Sequence, residues 1–373
     1  MAYEVRVVTD NKKLKEFLEL PYRIYRNDPL WVPPMIAEQK RILNQYGNPY
    51  FSKDVSIELF NGYKSGEICS RVAVIINRHH HQKYGTKSAF FGFFESVNDP
   101  LALELLFERV SQYLVFHEIN QIEGPFNPNH YSELGILTKR DNRPPSFFQT
   151  YNPAYYNDLL SSIGFEVSKK VHTRINSDIK RYLAEMQNHP KNYTENGYTI
   201  RSFINHKFDA ELENLRNIFN DAFSDNWHFL PVSSSEYRFC AKYLNLVTYP
   251  DLIKFVEHNG NPVAAIQFVL DINPYLKKFG GKQNIFRYFQ LKKNKKKIRK
   301  LIIFAVGIKK SYRRTPAFHL LLKSTIEIAA KYDALETTWM SPENESAIHA
   351  AECLGLEIDK EFLIYSKKIN YSN

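Results

Sequence analysis

The sequence predicts an α/β protein, more closely an α+β fold with a mixed sheet, built from two copies of one domain. The main observation is that one ending occurs twice: an Asn, an apolar helix, a glycine, and a strand of alternating charged and apolar residues. The glycines of the two endings are Gly164 and Gly355, 191 positions apart. So long a period indicates two domain copies rather than a solenoid. Two further pairs of landmarks recur at similar offsets, Gly66 with Gly260 (194) and Trp31 with Trp227 (196).

Each half predicts the same elements in the same order. Each half begins with a strand and a helix that ends near a tryptophan. Then follow, with the first and second half in that order, a hairpin (55–77 and 252–271), a strand (88–95 and 301–308) and a long amphipathic helix (101–118 and 317–332). Each half ends in a last helix and a last strand (167–175 and 358–369). We therefore expect the two halves to share one strand order.

The domain boundary is predicted from a stretch rich in turn residues. Residues 1–175 form the first domain and 198–373 the second, and 176–197 link them through a short helix at 177–187 and a polar, breaker-rich loop. The segment 273–300 has no basic counterpart in the first copy, so we expect it to be an insertion in the second domain.

Composition favours a protein that stays inside the cell. The 373 residues include three cysteines, too few and too widely spaced for a disulfide framework or a zinc site. The longest apolar run, 301–308, is far shorter than the roughly 20 residues of a membrane span, and the N-terminus lacks the apolar stretch of a signal peptide. We expect a cytoplasmic protein. His79-His80-His81 is interpreted as a polar turn rather than a metal site.

A block of basic residues at 292–300 contributes much of the net charge of +10. Its simplest interpretation is a solvated insertion. The alternatives are a contact to the phosphates of a cofactor, to a polyanionic substrate or to an anionic membrane, and a contact to nucleic acid. The last has the weakest support, because no recognition helix or stacking motif accompanies the charge.

The repeated ending resembles the last helix and strand of the GNAT acyltransferase superfamily, and the remaining elements of each half fit that order. The chain is most similar to a bacterial group of tandem GNAT proteins of uncharacterised function. The strings that carry this similarity are Tyr25-Arg-Asn-Asp-Pro-Leu-Trp-Val-Pro-Pro34, Phe90-Phe-Gly-Phe-Phe-Glu95, Gly124-Pro-Phe-Asn-Pro128 and Tyr151-Asn-Pro-Ala-Tyr-Tyr156. They are specific as a set, and the resemblance covers nearly the whole chain.

The resemblance implies a site for acyl-CoA in the second copy. In the GNAT fold, the pantetheine arm lies along a splayed middle strand, and a glycine-rich turn wraps the pyrophosphate. The turn of the second copy departs from this pattern, because Pro316 and Phe318 stand where the family has small residues. An ordinary helix start, with Thr315 as the N-cap, is the alternative. The implied cofactor-binding residues are Val306, Gly307 and Ile308 on the strand and Tyr312, Arg313, Arg314 and Ala317 at the turn.

The corresponding turn of the first copy, 97–101, has no glycine and no basic residue. Its Asp99 would place a negative charge beside the pyrophosphate. We therefore expect the first copy to bind no CoA and to act as a wall of the substrate cleft or as a structural partner.

Acyl transfer to an amine needs a base for the amine proton and commonly an acid for the leaving thiolate. The tyrosine that many GNAT enzymes use as the acid is absent, since Leu160 and Ala351 stand four residues before the glycines. The catalytic candidates are Glu343, Asn344 and Tyr365; Glu336 is a further polar candidate. For each of them, solvated surface or helix capping is the alternative interpretation.

The acceptor is expected in a cleft between the two domains. The predicted substrate residues are Asn127, Asn129 and Glu133 of a polar, proline-rich loop in the first copy, and the aromatic residues Trp227 and Trp339, with Tyr365 beside them, in the second. In the alternative interpretation, the aromatic rings pack in the core and the loop is a solvated turn.

These observations predict an acyl-CoA-dependent N-acyltransferase whose acceptor is a small-molecule or peptide amine, with no metal site and no nucleic acid partner. One alternative is a binding protein that kept the fold without catalysis. Another is a Fem-like transferase, which takes its donor from aminoacyl-tRNA and would contact RNA through the basic segment.

Overall fold

The computed structural model describes residues 2–139, 142–186, 197–282 and 285–370. The predicted linker loop therefore lies largely outside the described residues. The chain divides into two compact units, and neither is a contiguous half. Unit 1 consists of Met1–Val171, Asn273–Asn284 and Lys360–Asn373, and unit 2 consists of His172–Ile272 and Ile285–Asp359.

The N-terminal half alternates strands and helices. In chain order its elements are β1 (Tyr3–Val7), α1 (Asn11–Ile24), α2 (Ile36–Ile42), β2 (Val55–Lys64), β3 (Glu67–Asn77), α3 (Arg78–Tyr84), β4 (Ser88–Ser96), α4 (Pro100–Phe116), β5 (Gln121–Gly124), β6 (Phe126–Asn127), β7 (Glu133–Leu134), β8 (Ile136–Lys139), α5 (Tyr156–Ser162), β9 (Glu166–Asn176) and α6 (Ile179–Glu185).

The C-terminal half repeats most of this order. Its elements are β10 (Tyr198–Ser202), α7 (Phe208–Ala222), α8 (Ser234–Ala241), α9 (Leu244–Val247), β11 (Ile253–His258), β12 (Asn261–Leu270), α10 (Asn273–Phe279), α11 (Ile285–Asn294), β13 (Lys300–Ile308), α12 (Ala317–Ala329), β14 (Ala334–Thr337), α13 (Glu345–Glu352) and β15 (Glu357–Lys368).

Side-chain caps explain where several helices begin. Asp10 accepts a hydrogen bond from the Lys13 N–H at 2.9 Å before α1, and Asp99 accepts one from the Ala102 N–H at 3.2 Å before α4. Ser233 and Glu236 form a reciprocal capping box at α8. Each cap satisfies a backbone donor that the first helical turn leaves without a partner.

The two halves share one strand order up to their last strands, as expected. In unit 1 the order is β1-β2-β3-β4-β5-β15-β9, with antiparallel pairs up to β4 and a parallel β4–β5 pair. In unit 2 the order is β10-β11-β12-β13-β14-β9, again antiparallel up to β13 and parallel between β13 and β14. Each unit is thus a mixed, mostly antiparallel sheet.

The last strand of each half completes the sheet of the other unit. Tyr365 of β15 is the register partner of Gly124 of β5 in unit 1, and Asn176 of β9 is the partner of Leu335 of β14 in unit 2. The units therefore differ from the predicted contiguous domains 1–175 and 198–373. Alternation along a strand fixes which face is buried, but it does not name the neighbouring strand, so the sequence pattern did not reveal this exchange.

The expected insertion 273–300 is also divided between the units. Its first part belongs to unit 1, where the Asn273 side chain donates to the Pro145 carbonyl at 2.8 Å and the Ile36 N–H donates to the Gly281 carbonyl at 3.2 Å. The part from 285 onward belongs to unit 2. The prediction that the whole segment is an insertion in the second domain was therefore wrong for residues 273–282.

Each unit has its own core. In unit 1, Leu103, Leu106 and Val110 of α4 pack with apolar residues of β2, β3 and β4, and Tyr365 of β15 joins them. In unit 2, apolar residues of α7 pack on β11 and β12. The His79–His81 segment lies in helix α3 rather than in a polar turn, and His80 is buried against Tyr84 and Phe90.

Candidate functional site

The middle strands of unit 2 separate at the position that the resemblance implies. The parallel pairing of β13 with β14 covers Lys300–Ile303 and Ala334–Thr337, and the Thr338 N–H then donates to the Ile303 carbonyl at 3.1 Å. On its other side, β13 remains paired with β12 as far as Ile308. The Phe304 carbonyl also accepts from the Thr338 hydroxyl, at 3.1 Å. From 305 to 308, the β13 edge has no strand partner on the β14 side in the described part of the chain.

Beyond β14 the chain stays paired with β9, which is already the neighbour of β14 on the side away from β13. Met340 exchanges two backbone hydrogen bonds with His172, at 2.7 and 3.0 Å. The β12–β13 register also shifts at Gln267/Phe268, opposite Phe304. Such bulges bend a strand and redirect its side chains. β13 and β14 therefore diverge beyond Ile303, and we call the space beside the β13 edge from 305 to 308 the cleft of unit 2.

The three predicted strand residues all lie on this part of β13. Val306 and Ile308 are half-buried, and Gly307 is buried. A Cβ atom on Gly307 would lie 2.9 Å from a ring carbon of Phe219 and 3.0 Å from the Cβ of Ala222. Gly307 therefore permits the close approach of α7 to the strand, a structural role that accounts for the glycine without any ligand.

The turn between β13 and α12 is rich in positive charge. Arg313 and Arg314 are both exposed. Arg313 donates to the Ala222 carbonyl at 2.9 Å and lies 3.9 Å from an oxygen of Asp225. Arg314 has no ion pair with any described residue. The turn thus offers one anchored and one unengaged guanidinium.

Helix α12 begins one residue later than the alternative with Thr315 as the N-cap predicted. Pro316, not Thr315, is the N-cap of α12, and it provides no side-chain hydrogen bond. The Ala317 N–H donates to the Thr315 hydroxyl in a long hydrogen bond of 3.4 Å. Ala317 itself is fully buried. Tyr312 precedes this start and lies edge-on to His258, with ring centroids 5.7 Å apart.

The predicted catalytic residues do not form one group within a unit. Glu343 and Asn344 are exposed and lie before α13 in unit 2. The Asn344 side chain caps that helix by accepting from the Ala347 N–H at 3.1 Å, as the capping interpretation expected. Glu336 is fully buried, and its carboxylate lies 2.5 Å from the Lys300 ammonium.

Tyr365 belongs to unit 1, so our prediction that it lies with the aromatic group of the second domain was wrong. It is 2% exposed, and its hydroxyl donates to the Asn157 side chain at 2.9 Å. The strand exchange is the physical reason for this difference. Trp227 and Trp339 are half-buried in unit 2, and the Trp227 ring lies 4.3 Å from that of His228.

The equivalent cleft of unit 1 is occupied by the chain itself. After the parallel pairs from Ser88 to Phe90, β4 and β5 separate and β6 enters. A Cβ atom on Gly92 would lie 1.7 Å from the Phe126 carbonyl oxygen. The Phe93 N–H donates to the Asn127 side chain at 2.7 Å. In the GNAT fold, a backbone N–H at this place on the strand would bind the pantetheine arm. Here the Phe93 N–H binds the Asn127 side chain instead.

Asn127 and Glu133 come together, whereas Asn129 does not join them. Asn127 and Glu133 are register partners in the β6–β7 hairpin. Burial raises the pKa of Glu133 to about 7, against the hydrogen bond from Asn127, which lowers it. A carboxyl group of this pKa exchanges its proton near neutrality. Asn129 instead accepts from the Tyr131 N–H and the Ser132 hydroxyl within its own turn, both at 3.1 Å.

The turn before α4 in unit 1 is closed around Asp99. Its carboxylate accepts from the Tyr3 hydroxyl at 3.0 Å and from the Lys64 ammonium at 2.6 Å, in addition to the helix cap. Although burial raises the pKa of Asp99, these hydrogen bonds together lower it. A negative charge held here disfavours a phosphate at the same helix start.

Sequence reasoning missed a buried polar network in unit 1. The Glu95 carboxylate accepts from the Tyr156 hydroxyl at 2.7 Å and the Tyr25 hydroxyl at 2.9 Å, and it lies 3.8 Å from the Arg71 guanidinium. Burial raises the pKa of Glu95 and lowers that of Arg71. A pair so deeply buried needs these hydrogen bonds to offset the loss of hydration.

This network joins three of the strings that carried the family resemblance. Tyr25 also stacks on Trp31, with centroids 4.9 Å apart, and the Tyr151 hydroxyl donates to Asp28 at 2.7 Å. Tyr25, Glu95 and Tyr156 each come from a different string. The occurrence of these strings together in one chain was the signal that the sequence offered. The spacing of the strings did not indicate that their tyrosines share one buried carboxylate.

Comparison with solved structures shows which fold this protein has. A tandem GNAT protein from the clavulanic acid biosynthesis pathway aligns over 100% of both chains with a TM-score of 0.57, at 9% identity. The chain therefore has a tandem GNAT fold, as predicted. No family model matches the sequence.

Two bacterial proteins are similar over nearly the whole chain. The bacterial ceramide synthase of Caulobacter vibrioides is 25% identical over 366 residues, which cover 96% of this chain and 95% of that protein. Protein YghO of Escherichia coli is 25% identical over 381 residues, with 98% and 95% covered. Across the described residues, no helix combines the length and apolarity needed to traverse a bilayer.

Proposed function

We propose that this protein is an N-acyltransferase that takes its acyl group from acyl-CoA bound in unit 2. The observation that carries the proposal is the free edge of β13 from 305 to 308, beside a basic turn. A free strand edge presents backbone donors and acceptors that an amide-containing arm can pair with, as an added strand does. Pantetheine contains two such amides. At the equivalent place in unit 1, the Phe93 N–H already donates to the Asn127 side chain.

The donor site in this proposal comprises Val306, Gly307 and Ile308 along the strand and Tyr312, Arg313, Arg314 and Ala317 at the turn. The guanidinium groups would bind the cofactor phosphates in place of the backbone donor that Pro316 lacks. In the reaction, the amine nitrogen attacks the thioester carbonyl, the new C–N bond forms, and the C–S bond breaks to release CoA as a thiolate. The amine proton passes to a base, for which we propose Glu343.

The acceptor in this proposal is a long-chain amine. The support is the ceramide synthase of Caulobacter vibrioides, which aligns with this chain over nearly its full length. A ceramide is the amide of a fatty acid and a long-chain amino alcohol. Trp227 and Trp339 are half-buried aromatic residues of unit 2, and rings of this kind suit the cover of an apolar chain. Asn127, Asn129 and Glu133 belong to unit 1 and are not part of this proposal.

Calorimetric titration with acetyl-CoA and with a long-chain acyl-CoA tests the donor site. Arg314→Ala is the cleanest variant, because Arg314 has no structural partner among the described residues. We expect each lost charge-assisted contact to weaken binding by about 1–3 kcal/mol. Arg78→Ala, at an exposed arginine of unit 1, is the matched control. If neither acyl-CoA binds the wild-type protein, the proposal fails, and the non-catalytic binding protein becomes the better interpretation.

A second experiment tests the base. Glu343→Gln should lower kcat by about 10²–10⁴-fold while leaving acyl-CoA affinity unchanged, because the residue acts on the acceptor proton. Glu345→Gln, at an exposed neighbour in the first turn of α13, is the control. The readout is CoA release in the presence of a long-chain amino alcohol. Equal activities of the two variants would exclude Glu343 as the base.

A further inference from the structure

The segment that follows residue 284 carries a concentrated positive charge. Residues 285–300 include eight Lys and Arg residues and no Asp or Glu, whereas the formal net charge of the whole chain is +10. Lys292, Lys293, Lys296 and Lys297 are all exposed. None of these four forms an ion pair with any residue in the described ranges. Their charge is therefore available to an external partner.

Two exposed aromatic rings lie beside these lysines. Phe286 and Phe289 of α11 are 79% and 57% exposed. They are three positions apart, so they lie on the same helix face, and Lys293 is four positions beyond Phe289 on that face. We call the six residues Phe286, Phe289, Lys292, Lys293, Lys296 and Lys297 the basic-aromatic face.

The inner side of the same segment is fixed to unit 2. Leu291 is 3% exposed and Ile298 is 9% exposed. Lys295, unlike its neighbours, points inward: its ammonium donates to the Asn245 carbonyl at 2.7 Å and to the Thr248 carbonyl, and it lies 3.8 Å from the centre of the Tyr249 ring. The segment is therefore anchored, and the exposure of the two phenylalanines does not result from an unattached helix.

We propose that the basic-aromatic face docks on an anionic lipid surface. Helices that lie in a membrane interface combine aromatic side chains, which enter the boundary between headgroups and acyl chains, with lysines that attract anionic lipids. Proteins that bind single-stranded nucleic acid instead distribute their rings along a groove. Here both rings lie on one face of a single helix, which favours the lipid surface. The inference does not depend on the proposed acyl transfer, although a lipid amine would be present at such a surface.

Vesicle flotation with the full-length protein tests this proposal. The probes are vesicles of phosphatidylcholine alone and vesicles that also contain phosphatidylglycerol. We expect binding to the second kind only, and a loss of about fivefold for each of the four lysines replaced by glutamine. The Phe286→Ser/Phe289→Ser variant should bind at least about tenfold more weakly. All these side chains are exposed, so thermal melting should be unchanged.

Matched controls distinguish binding through the basic-aromatic face from binding that depends only on net charge or on exposed apolar residues. Four exposed lysines elsewhere, Lys12, Lys40, Lys53 and Lys207, are changed to glutamine together, which gives the same change in net charge. Tyr46 and Phe116, which are 93% and 82% exposed, are changed to serine. Both control variants should bind the anionic vesicles as the wild type does. An equal loss in the controls would overturn the proposal.

A spectroscopic variant locates the contact. Tryptophan introduced by Phe286→Trp should shift its emission to the blue on anionic vesicles and be quenched by brominated acyl chains, whereas Phe116→Trp should do neither. A parallel titration with labelled tRNA addresses the other polyanion. RNA binding that depends on the basic-aromatic face, without vesicle binding, would contradict the lipid proposal and favour a nucleic acid partner.

Discussion

Glu133 is a carboxyl group whose charge is disfavoured in the folded protein. Its pKa is raised from 4.5 to about 7 by burial, so the folded state binds the proton more tightly than the unfolded chain does. Below pH 4.5 both states are protonated and the penalty is absent. As the pH rises from 4.5 toward 7, the unfolded chain ionises first and the folded state loses stability relative to it.

The variant Glu133→Gln should remove this pH dependence. We expect the free energy of unfolding of the variant, relative to wild type, to increase by up to about 3 kcal/mol between about pH 4.5 and about pH 7.5. Urea denaturation at several pH values measures it. Glu67→Gln, whose side chain is 76% exposed, is the control and should follow the wild type. If the difference in free energy of unfolding between the variant and wild type stays constant across this range, the pKa of Glu133 is not raised in the folded protein.

Tyr156 satisfies two buried groups with one hydroxyl. It donates to Glu95 and accepts from the Ser96 N–H at 2.9 Å. Tyr156→Phe should lower the free energy of unfolding by about 1–3 kcal/mol, because both groups lose a partner in a buried site. Chemical denaturation is the measurement, and Tyr46→Phe at a 93% exposed position is the control. A loss below that of the control would indicate that water replaces the hydroxyl.

At the scale of elements, β6 is what distinguishes the clefts of the two units. Its backbone passes so close to β4 that Gly92 has no room for a side chain. Gly92→Ala should therefore displace β6 and cost about 1–3 kcal/mol or more in stability. Gly47→Ala is the control, because its added methyl group would meet only the flexible side chain of Asn44. Thermal melting compares the two variants, and equal melting temperatures would refute this close packing.

The whole molecule depends on the exchanged strands. Unit 1 takes Tyr365 and Ile369 of the C-terminal segment into its core. A chain that ends at Asp359 should lose the cooperative unfolding of unit 1 and expose apolar surface to a hydrophobic dye. A chain that ends at Asn370 retains β15 and is the control. Circular dichroism and denaturation report the outcome, and native-like unfolding of the shorter chain would show that β15 is dispensable.

The sequence predicted what local patterns determine. Alternating strands, glycine turns and the long repeat offset were sufficient for the element order and the tandem fold. They did not reveal that β15 joins unit 1, because the choice of a neighbouring strand depends on contacts that are distant along the chain. The misassignment of Tyr365 followed directly from this.

The site was predictable to a smaller extent. The family resemblance led to the β13 edge and its basic turn. The polar, proline-rich composition of a predicted loop led to Asn127 and Glu133, which the structure places in a hairpin. It did not indicate that Asn127 occupies the cleft of unit 1, since a two-residue strand has no period to detect. The Glu95 network was also missed, because burial of a charged residue is visible only once its partners, Tyr25 and Tyr156, are brought together.

The exchange of last strands has a consequence for synthesis and for evolution. Domains of a growing chain generally fold in order from the N-terminus as they leave the ribosome. Unit 1 lacks one of its strands until residues 360–368 have been made, so it stays incomplete while most of unit 2 is synthesised. Once a duplicated gene has reached this arrangement, neither copy can be deleted, shortened or recombined into another protein without leaving the other one unfinished.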